Sequence, residues 1–247
     1  MAQRDEIIAY ADELLDVAAF SDYGPMGMQV IGAEEVTRIV CAVSASRELF
    51  ERAAAADAQL VLVHHGLFWD NESRRVDARM KGRLQALFDA ELTLAAYHLA
   101  LDAHPELGNN ALLARELEVE VERPFATWGA GGRMREPVPV ETFVGEVRSL
   151  VDADPVVFAE GPPTVERVAI LSGGGARYLA EAAQEGYDLF LTGEASEPSL
   201  HTARELRINF VAAGHYATER LGVQALAARL AEHFGLDWEF VELPNPV

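Results

Sequence analysis

Two adjacent histidines, His64 and His65, stand in the segment VLVHHGLFW, directly after a short aliphatic run at 60–63. The run predicts a buried strand, and the ligands of open α/β sheets bind where such strands end. Neighbouring residues of a strand face opposite ways, so each imidazole can reach a different metal ion. Taken alone, the pair is equally consistent with two structural histidines, because short motifs often match by chance.

Further imidazoles and carboxylates follow three other predicted strands: His98 with Asp102, then Glu194, then His215 with Glu219. The carboxyl ends of parallel strands meet at one edge of a sheet, so we expect these side chains to converge on one crevice. His215 and Glu219 are four residues apart at a predicted helix start and therefore share a face. Histidine and carboxylate ligands suit zinc, iron, manganese, cobalt or nickel, and two ions fit if one carboxylate bridges them.

Each of these residues also has a purely structural interpretation. Asp102 fits a helix or turn cap, and Glu219 fits a solvated helix face. His98 fits a hydrogen-bonded core histidine, or one that orients a metal ligand. The remaining histidines, which fit loop or surface-helix positions, are His104, His201 and His233. The case for a metal site therefore depends on convergence rather than on any single residue.

The composition is that of a globular protein with a sizeable core. The chain has 247 residues, half of them apolar, and a mean hydropathy of +0.03. Cys41 is its single cysteine, which excludes an intrachain disulfide and a thiolate metal cage. No apolar run approaches the roughly 18 residues of a membrane helix, and the polar start MAQRDEIIAYADELLD is unlike a signal peptide. We expect a cytoplasmic protein.

The charge balance is strongly acidic. Forty Asp and Glu residues face twenty Lys and Arg residues, for a net charge of −20, and Lys81 is the single lysine. Such a surface repels nucleic acid and anionic membranes, so both are disfavoured as partners. Abundant carboxylates with almost no lysine also favour a high-salt, halophilic habitat, because dense salt screens the self-repulsion.

The chain carries an internal repeat. Residues 38–66 align without a gap over 167–195, and in both segments a strand, a small-residue turn, an alanine-rich helix and a second strand coincide. A histidine followed four residues later by a carboxylate then recurs, at 98–102 and 215–219. We therefore predict an α/β protein of two tandem, internally repeated α/β domains with mainly parallel sheets, and the metal site in the crevice between them.

Two glycine-containing segments of the chain have further interpretations. Glycine and proline cluster near 124–139, which predicts the junction there and domains at 1–125 and 126–247. The turn SGGGA at 172–176 lacks the Lys-Ser/Thr of a phosphate-binding loop, so it is more typical of a tight turn, although it would suit a nucleotide-like ligand.

Long motifs across essentially the whole chain resemble one family. GMQV, VLVHHGLFW, HLALDAHPELGNN, FLTGEASE, AAGHYATERLGVQAL and the final PNPV are similar to the GTP cyclohydrolase type 2 homologues, also called Nif3-like proteins. The resemblance implies two similar domains, a toroidal homohexamer and two divalent ions per chain. The ligands that it implies are His64, His65, Asp102, His215 and Glu219, the last of them bridging. Met28 and Tyr216 replace the family's usual leucine and frequent histidine, and the second could alter the surroundings of the ligands.

The leading functional hypothesis is a dinuclear metal protein with hydrolase chemistry of the GTP cyclohydrolase type, acting on a small molecule such as a purine nucleotide. His98 or Glu194 would move protons in this reaction. Two alternatives come from other classes of function. One is a protein that stores or delivers metal ions, and the other is a regulatory hexameric ring in which the metals are structural.

Overall fold

Runs of buried aliphatic residues, separated by polar and glycine-containing segments, form separate β-sheets in a mixed α/β fold. The computed structural model describes residues 1–73 and 75–247. The chain divides into unit 1, which is Met1–Leu101 with Gly222–Leu243, and unit 2, which is Asp102–Leu221 with Pro244–Val247. Across the described residues, no helix is both long and apolar enough to cross a membrane.

The elements are numbered in chain order. The strands are β1 (Ala2–Gln3), β2 (Gly27–Val30), β3 (Glu35–Val36), β4 (Arg38–Ser44), β5 (Leu60–His65), β6 (Thr93–Ala96), β7 (Val119–Phe125), β8 (Gly129–Pro139), β9 (Val156–Ala159), β10 (Thr164–Leu171), β11 (Leu189–Thr192), β12 (Asn209–Ala212) and β13 (Asp237–Phe240). The helices are α1 (Arg4–Leu14), α2 (Arg47–Ala55), α3 (Ala78–Asp89), α4 (Leu99–Asp102), α5 (Asn109–Glu116), α6 (Val140–Val151), α7 (Leu179–Gln184), α8 (Ser199–Leu206), α9 (His215–Thr218) and α10 (Arg220–Phe234). Short 3-10 segments lie at Val17–Ala19 and Ala176–Tyr178.

In unit 1, strands β13, β4, β5, β6 and β2 lie side by side in that order, parallel except for β2. The aliphatic start of β5 is fully buried, which explains its continuous apolar run. Helix α2 begins at the Ser46 cap, whose side chain accepts a hydrogen bond from the Leu49 backbone N–H at 3.1 Å. It packs Leu49, Phe50 and Ala53 into the core, so the βαβ unit predicted here is confirmed.

In unit 2, the strand order is β7, β8, β10, β11, β12 and β9. Strands β10, β11 and β12 pair in parallel, whereas β7, β8 and β9 join antiparallel. The prediction of mainly parallel sheets is therefore wrong for this unit, where parallel pairing is confined to the βαβ segments. Helix α6 lies on the sheet with apolar residues at helical spacing, namely Val140, Phe143, Val144, Val147 and Val151.

The units do not follow the predicted division at 125/126. The expected junction at 124–139 is largely the β7–β8 hairpin of the unit 2 sheet, and β13 returns to pair with β4 of unit 1. The glycines that suggested a linker have a packing role. A side chain at Gly131 would overlap the Tyr187 hydroxyl, and one at Gly132 would overlap the backbone carbonyl of Glu120.

Candidate metal centre

His64 is the fully buried member of the histidine pair at the end of β5. Its Nδ1 lies 2.9 Å from the backbone carbonyl oxygen of Tyr97, the residue after β6. Because a carbonyl oxygen only accepts hydrogen bonds, Nδ1 of His64 must carry the proton. Nε2 is then the nitrogen that this ring would offer to a metal ion.

The other two candidate histidines of unit 1, His65 and His98, also make a hydrogen bond through Nδ1. Nδ1 of His65 lies 3.0 Å from the hydroxyl of Ser44, its register partner on β4. Nδ1 of His98 lies 2.8 Å from a carboxylate oxygen of Asp22. Burial opposes ionisation of Asp22, but the hydrogen bond and charge interaction with His98, together with the backbone N–H donors of Leu99 and Tyr23, outweigh it and lower the pKa of this carboxyl.

The three imidazoles converge. One ring nitrogen of each of His64, His65 and His98 lies within 4.8 Å of the others, and the ring centroids are 4.7 to 5.5 Å apart. Each Nδ1 already makes a hydrogen bond elsewhere, and in His64 and His98 the partner is an acceptor, so Nε2 is the nitrogen with the lone pair in these two rings. Such a set of oriented imidazoles is typical of a metal site, in which the outer hydrogen bond fixes the tautomer.

The turn after the histidines depends on Gln29 of the GMQV strand. The Gln29 side chain accepts a hydrogen bond from the Leu67 backbone N–H at 2.7 Å and donates one to the Pro25 carbonyl at 2.7 Å. A side chain at Gly66 would overlap the Gln29 amide. Gly66 and Gln29 therefore act together to turn the chain immediately after the histidine pair.

In unit 2, His215 lies between two carboxylates at the start of α9. Its Nδ1 is 2.5 Å from a carboxylate oxygen of Glu194, and its Nε2 is 3.1 Å from one of Glu219. Burial opposes protonation of this imidazole, but Glu219 and Glu194 outweigh it and raise the pKa of His215 to about 9. Glu219 is 3% exposed. A buried carboxylate beside an imidazole is a donor set that a divalent cation can share.

The glycine-rich turn makes room for this pair. Gly173 has φ +65°, and a Cβ there would overlap Oε1 of Glu219 and lie 3.1 Å from Nε2 of His215. The segment forms the tight turn predicted from the sequence, and the backbone of Gly173 lies directly against the Glu219 carboxylate. The absence of a side chain at this position leaves the Glu219 carboxylate and the His215 imidazole facing the same space.

Asp102 ends α4 and is 4% exposed. Its Oδ1 accepts two hydrogen bonds, one from the Asn109 side-chain amide at 2.8 Å and one from the Ser172 hydroxyl at 3.3 Å. Asn110 supports the same region, because its side chain accepts from the Ser172 backbone N–H at 2.7 Å and donates to the Trp128 carbonyl at 2.8 Å. Neutral donors thus hold one oxygen of the Asp102 carboxyl group in place.

The structure thus brings His64, His65 and His98 together in unit 1, and His215, Glu194 and Glu219 together in unit 2. The remaining histidines have structural surroundings. Nδ1 of His104 accepts from the Leu107 backbone N–H at 3.0 Å, and His233 stacks on Tyr10. Sequence reasoning missed the residues that orient the candidates, namely Asp22, Gln29, Asn109, Ser172 and Gly173. Four of them lie within the segments GMQV, HLALDAHPELGNN and SGGGA, whose sequences do not indicate these contacts, and Asp22 lies in a loop that contains glycine and proline.

Comparisons with known proteins agree over the whole chain. The family model Duf34/NIF3 (NGG1p interacting factor 3) matches residues 2–246. A Pseudomonas aeruginosa protein named GTP cyclohydrolase 1 type 2 homolog is 43% identical over 245 residues, which is 97% of each chain. A solved structure of protein ybgI, described as of unknown function, has a TM-score of 0.97 at 41% identity, and TTHA1606 from Thermus thermophilus has 0.94 at 36%, each covering 100% of both chains.

The family predicted from the sequence motifs is confirmed by the family model over residues 2–246 and by the two matches above 40% identity, which cover nearly the full length. The motif residues described above, from the histidine pair to the α9 imidazole, all lie within the matched range. This chain belongs to the Duf34/NIF3 family.

Proposed function

We propose that the chain is a metal-dependent hydrolase that binds two divalent ions through His64, His65, Asp102, His215 and Glu219. The observation that carries the proposal is the convergence of oriented imidazoles in unit 1, where ring nitrogens of three histidines lie within 4.8 Å. The buried Glu219 beside His215 supplies the carboxylate that such a pair of ions requires. The five ligands are those that the family resemblance implies, and their joint action on the ions is the proposal.

The bound ions would supply Lewis-acid activation and a water of lowered pKa. The protein would hold the ligands and move the protons. Glu194 is suited to exchange protons with solvent, because its side chain is 42% exposed and already contacts Nδ1 of His215. His98 is suited to accept a proton, because Asp22 fixes its Nδ1 as the donor and leaves Nε2 with the lone pair.

The proposed substrate is a purine nucleotide. A cleft of about 420 Å³ in unit 2 reaches Glu194, and its walls include Gly174, Arg177, Ser196 and Thr202. This volume is in the range of small-molecule sites. Arg177 contributes a guanidinium group, which pairs well with phosphate, to a chain that is otherwise strongly acidic. The name shared by the relatives, GTP cyclohydrolase 1 type 2 homolog, points to the same class of substrate.

The first experiment is elemental analysis of metal content per chain for wild type, Glu219→Ala and Glu232→Ala. Glu232 is the matched control, because it is an exposed glutamate on α10. We expect about two ions in wild type and in Glu232→Ala, and at least one fewer in Glu219→Ala. Well-folded wild type without bound metal after loading would overturn the proposed site.

The second experiment is incubation of the metal-loaded protein with purine nucleotides, cyclic amides and phosphoesters, followed by chromatography of the products. We expect hydrolysis of a nucleotide that is lost in Glu219→Ala and retained in Glu232→Ala. Failure to turn over any of these compounds, despite two bound ions, would overturn the hydrolase assignment. Rapid release of the ions to a chelator would then support metal delivery instead.

A further inference from the structure

Asp22 is an acidic loop residue that the candidate ligand set does not include. Its side chain is only 3% exposed, although it lies outside any helix or strand. One carboxylate oxygen accepts from His98 Nδ1 at 2.8 Å and from the Tyr23 backbone N–H at 2.6 Å. The other accepts from the Leu99 backbone N–H at 2.9 Å. The carboxylate is therefore fixed by donors on two sides and faces the ring of His98.

The His98 ring has little freedom on its other sides. Its centroid lies 5.0 Å from that of His64 and 5.5 Å from that of His65, and the Trp69 ring meets it edge-on at 5.1 Å. One ring nitrogen of His98 lies within 4.8 Å of ring nitrogens of His64 and His65. Because Nδ1 is engaged by the Asp22 carboxylate, Nε2 is the nitrogen left to face the histidine pair. Neutral imidazole has two tautomers, and an ionised carboxylate accepts a hydrogen bond only from the one protonated at the facing nitrogen.

We propose that Asp22 is a positioning residue, which fixes the His98 ring in the Nδ1–H tautomer so that its Nε2 lone pair faces the histidine pair and is placed to accept a proton beside an ion held there. This inference rests on the proposed function for the identity of the ion, but its geometric part concerns the metal-free protein. The loop segment SDYGP is then part of the metal centre, in addition to the strand ends that carry the ligands. Carboxylate–histidine–metal arrangements of this kind are common, and they fix ring orientation and basicity.

The test is magic-angle-spinning NMR of protein labelled with ¹⁵N-histidine, prepared under mildly alkaline conditions in which an unperturbed imidazole is neutral. Comparison with a His98→Gln sample identifies the His98 signals. In metal-free wild type we expect a single His98 tautomer, protonated at Nδ1. In Asp22→Ala we expect most of that signal to be lost and replaced by the Nε2–H tautomer, which unrestrained imidazole prefers in water.

Two further variants complete the design. Asp22→Asn keeps the size of the side chain but offers one acceptor oxygen, which can serve His98 or the Leu99 N–H but not both, so we expect a mixture of tautomers. This variant tests the proposal even if Asp22→Ala does not fold. Asp89→Ala removes an exposed carboxylate of α3 and should leave the His98 signal unchanged. Retention of the pure Nδ1–H tautomer in both Asp22 variants would overturn the proposal.

Addition of Co²⁺ to wild type distinguishes a failure of the Asp22 proposal from a failure of the proposed metal function. Paramagnetic broadening of the His64, His65 and His98 signals together is the expected result. Broadening of His64 and His65 without His98 would overturn the orientation proposed for His98. If Co²⁺ broadens none of the three, the proposed metal function fails, whereas the role of Asp22 in fixing the tautomer is still decided by the metal-free spectra.

Discussion

Replacement of Gly173 by alanine tests whether the glycine-rich turn of unit 2 exists to make room for the Glu219 carboxylate. The backbone of Gly173 has φ +65°, and an added Cβ would overlap Oε1 of Glu219. The neighbouring imidazole is also close, because His215 Nε2 would lie 3.1 Å from the new atom. Alanine can therefore be accommodated only if Glu219 moves away from His215.

Gly173→Ala is expected to lower the free energy of unfolding for two reasons. A non-glycine residue in the left-handed region costs about 1–2 kcal/mol. Displacement of Glu219 adds about 1–3 kcal/mol, the usual cost of leaving a buried polar group without its partner. We therefore expect the free energy of unfolding to fall by about 2–5 kcal/mol. Gly235 is the matched control, because its φ is +67° and nothing lies within 4 Å of its added Cβ, so Gly235→Ala should incur only the first of these costs.

The assay is urea unfolding of the metal-free variants, followed by circular dichroism, together with zinc content after loading. We expect Gly173→Ala to unfold at lower urea than Gly235→Ala and to bind less zinc. Gly235→Ala should bind as much zinc as wild type. Equal unfolding free energies and equal zinc contents in the two variants would refute the assignment of Gly173 as a space-making residue of the site.

Other expectations follow from charge and family membership. The raised pKa of His215, about 9 against 6.5, means that its stabilisation of the metal-free fold is complete below about pH 6.5 and is lost as the pH rises through about 9. Urea midpoints across this range should therefore fall, and a flat profile would contradict the carboxylate contacts of His215. The net charge of −20 predicts that the free energy of unfolding rises with KCl, and no change between low and molar salt would argue against a halophilic protein. The family resemblance predicts a homohexamer, so light scattering should give about six chains of 26.9 kDa, and a monomer would contradict it.

The strand ends that carry the candidate residues could be predicted because their signals are local. The aliphatic run before His64 is long enough to indicate a buried strand, and β5 covers Leu60–His65. The positions of His98 and His215 after β6 and β12 follow from the same type of signal. The residues that contact these histidines, in contrast, come from distant parts of the chain. Asp22 is 76 residues from His98 along the chain, and nothing in its own segment reveals that distance in space.

The junction could not be predicted for a related reason. Glycines near 129–132 look like linker residues when only the neighbouring sequence is considered. In the structure, Gly131 faces Tyr187, a residue of another segment that needs the space. The short run of β13 likewise does not indicate its partner, and its pairing with β4 places this strand in the unit 1 sheet. Close approach and strand order are tertiary properties that periodicity does not encode.

The return of β13 to unit 1 also fixes the order in which the protein can be built. Asp102–Leu221 of unit 2 lies between the two segments of unit 1 along the chain, so a ribosome must complete it before it makes β13 of the unit 1 sheet. At typical elongation rates this leaves β4 with an open edge for on the order of ten seconds. The histidine pair on β5 therefore emerges long before its sheet is complete, whereas the unit 2 residues His215 and Glu219 emerge only shortly before β13 closes that sheet. Premature termination anywhere before β13 would leave a sheet edge exposed to other chains.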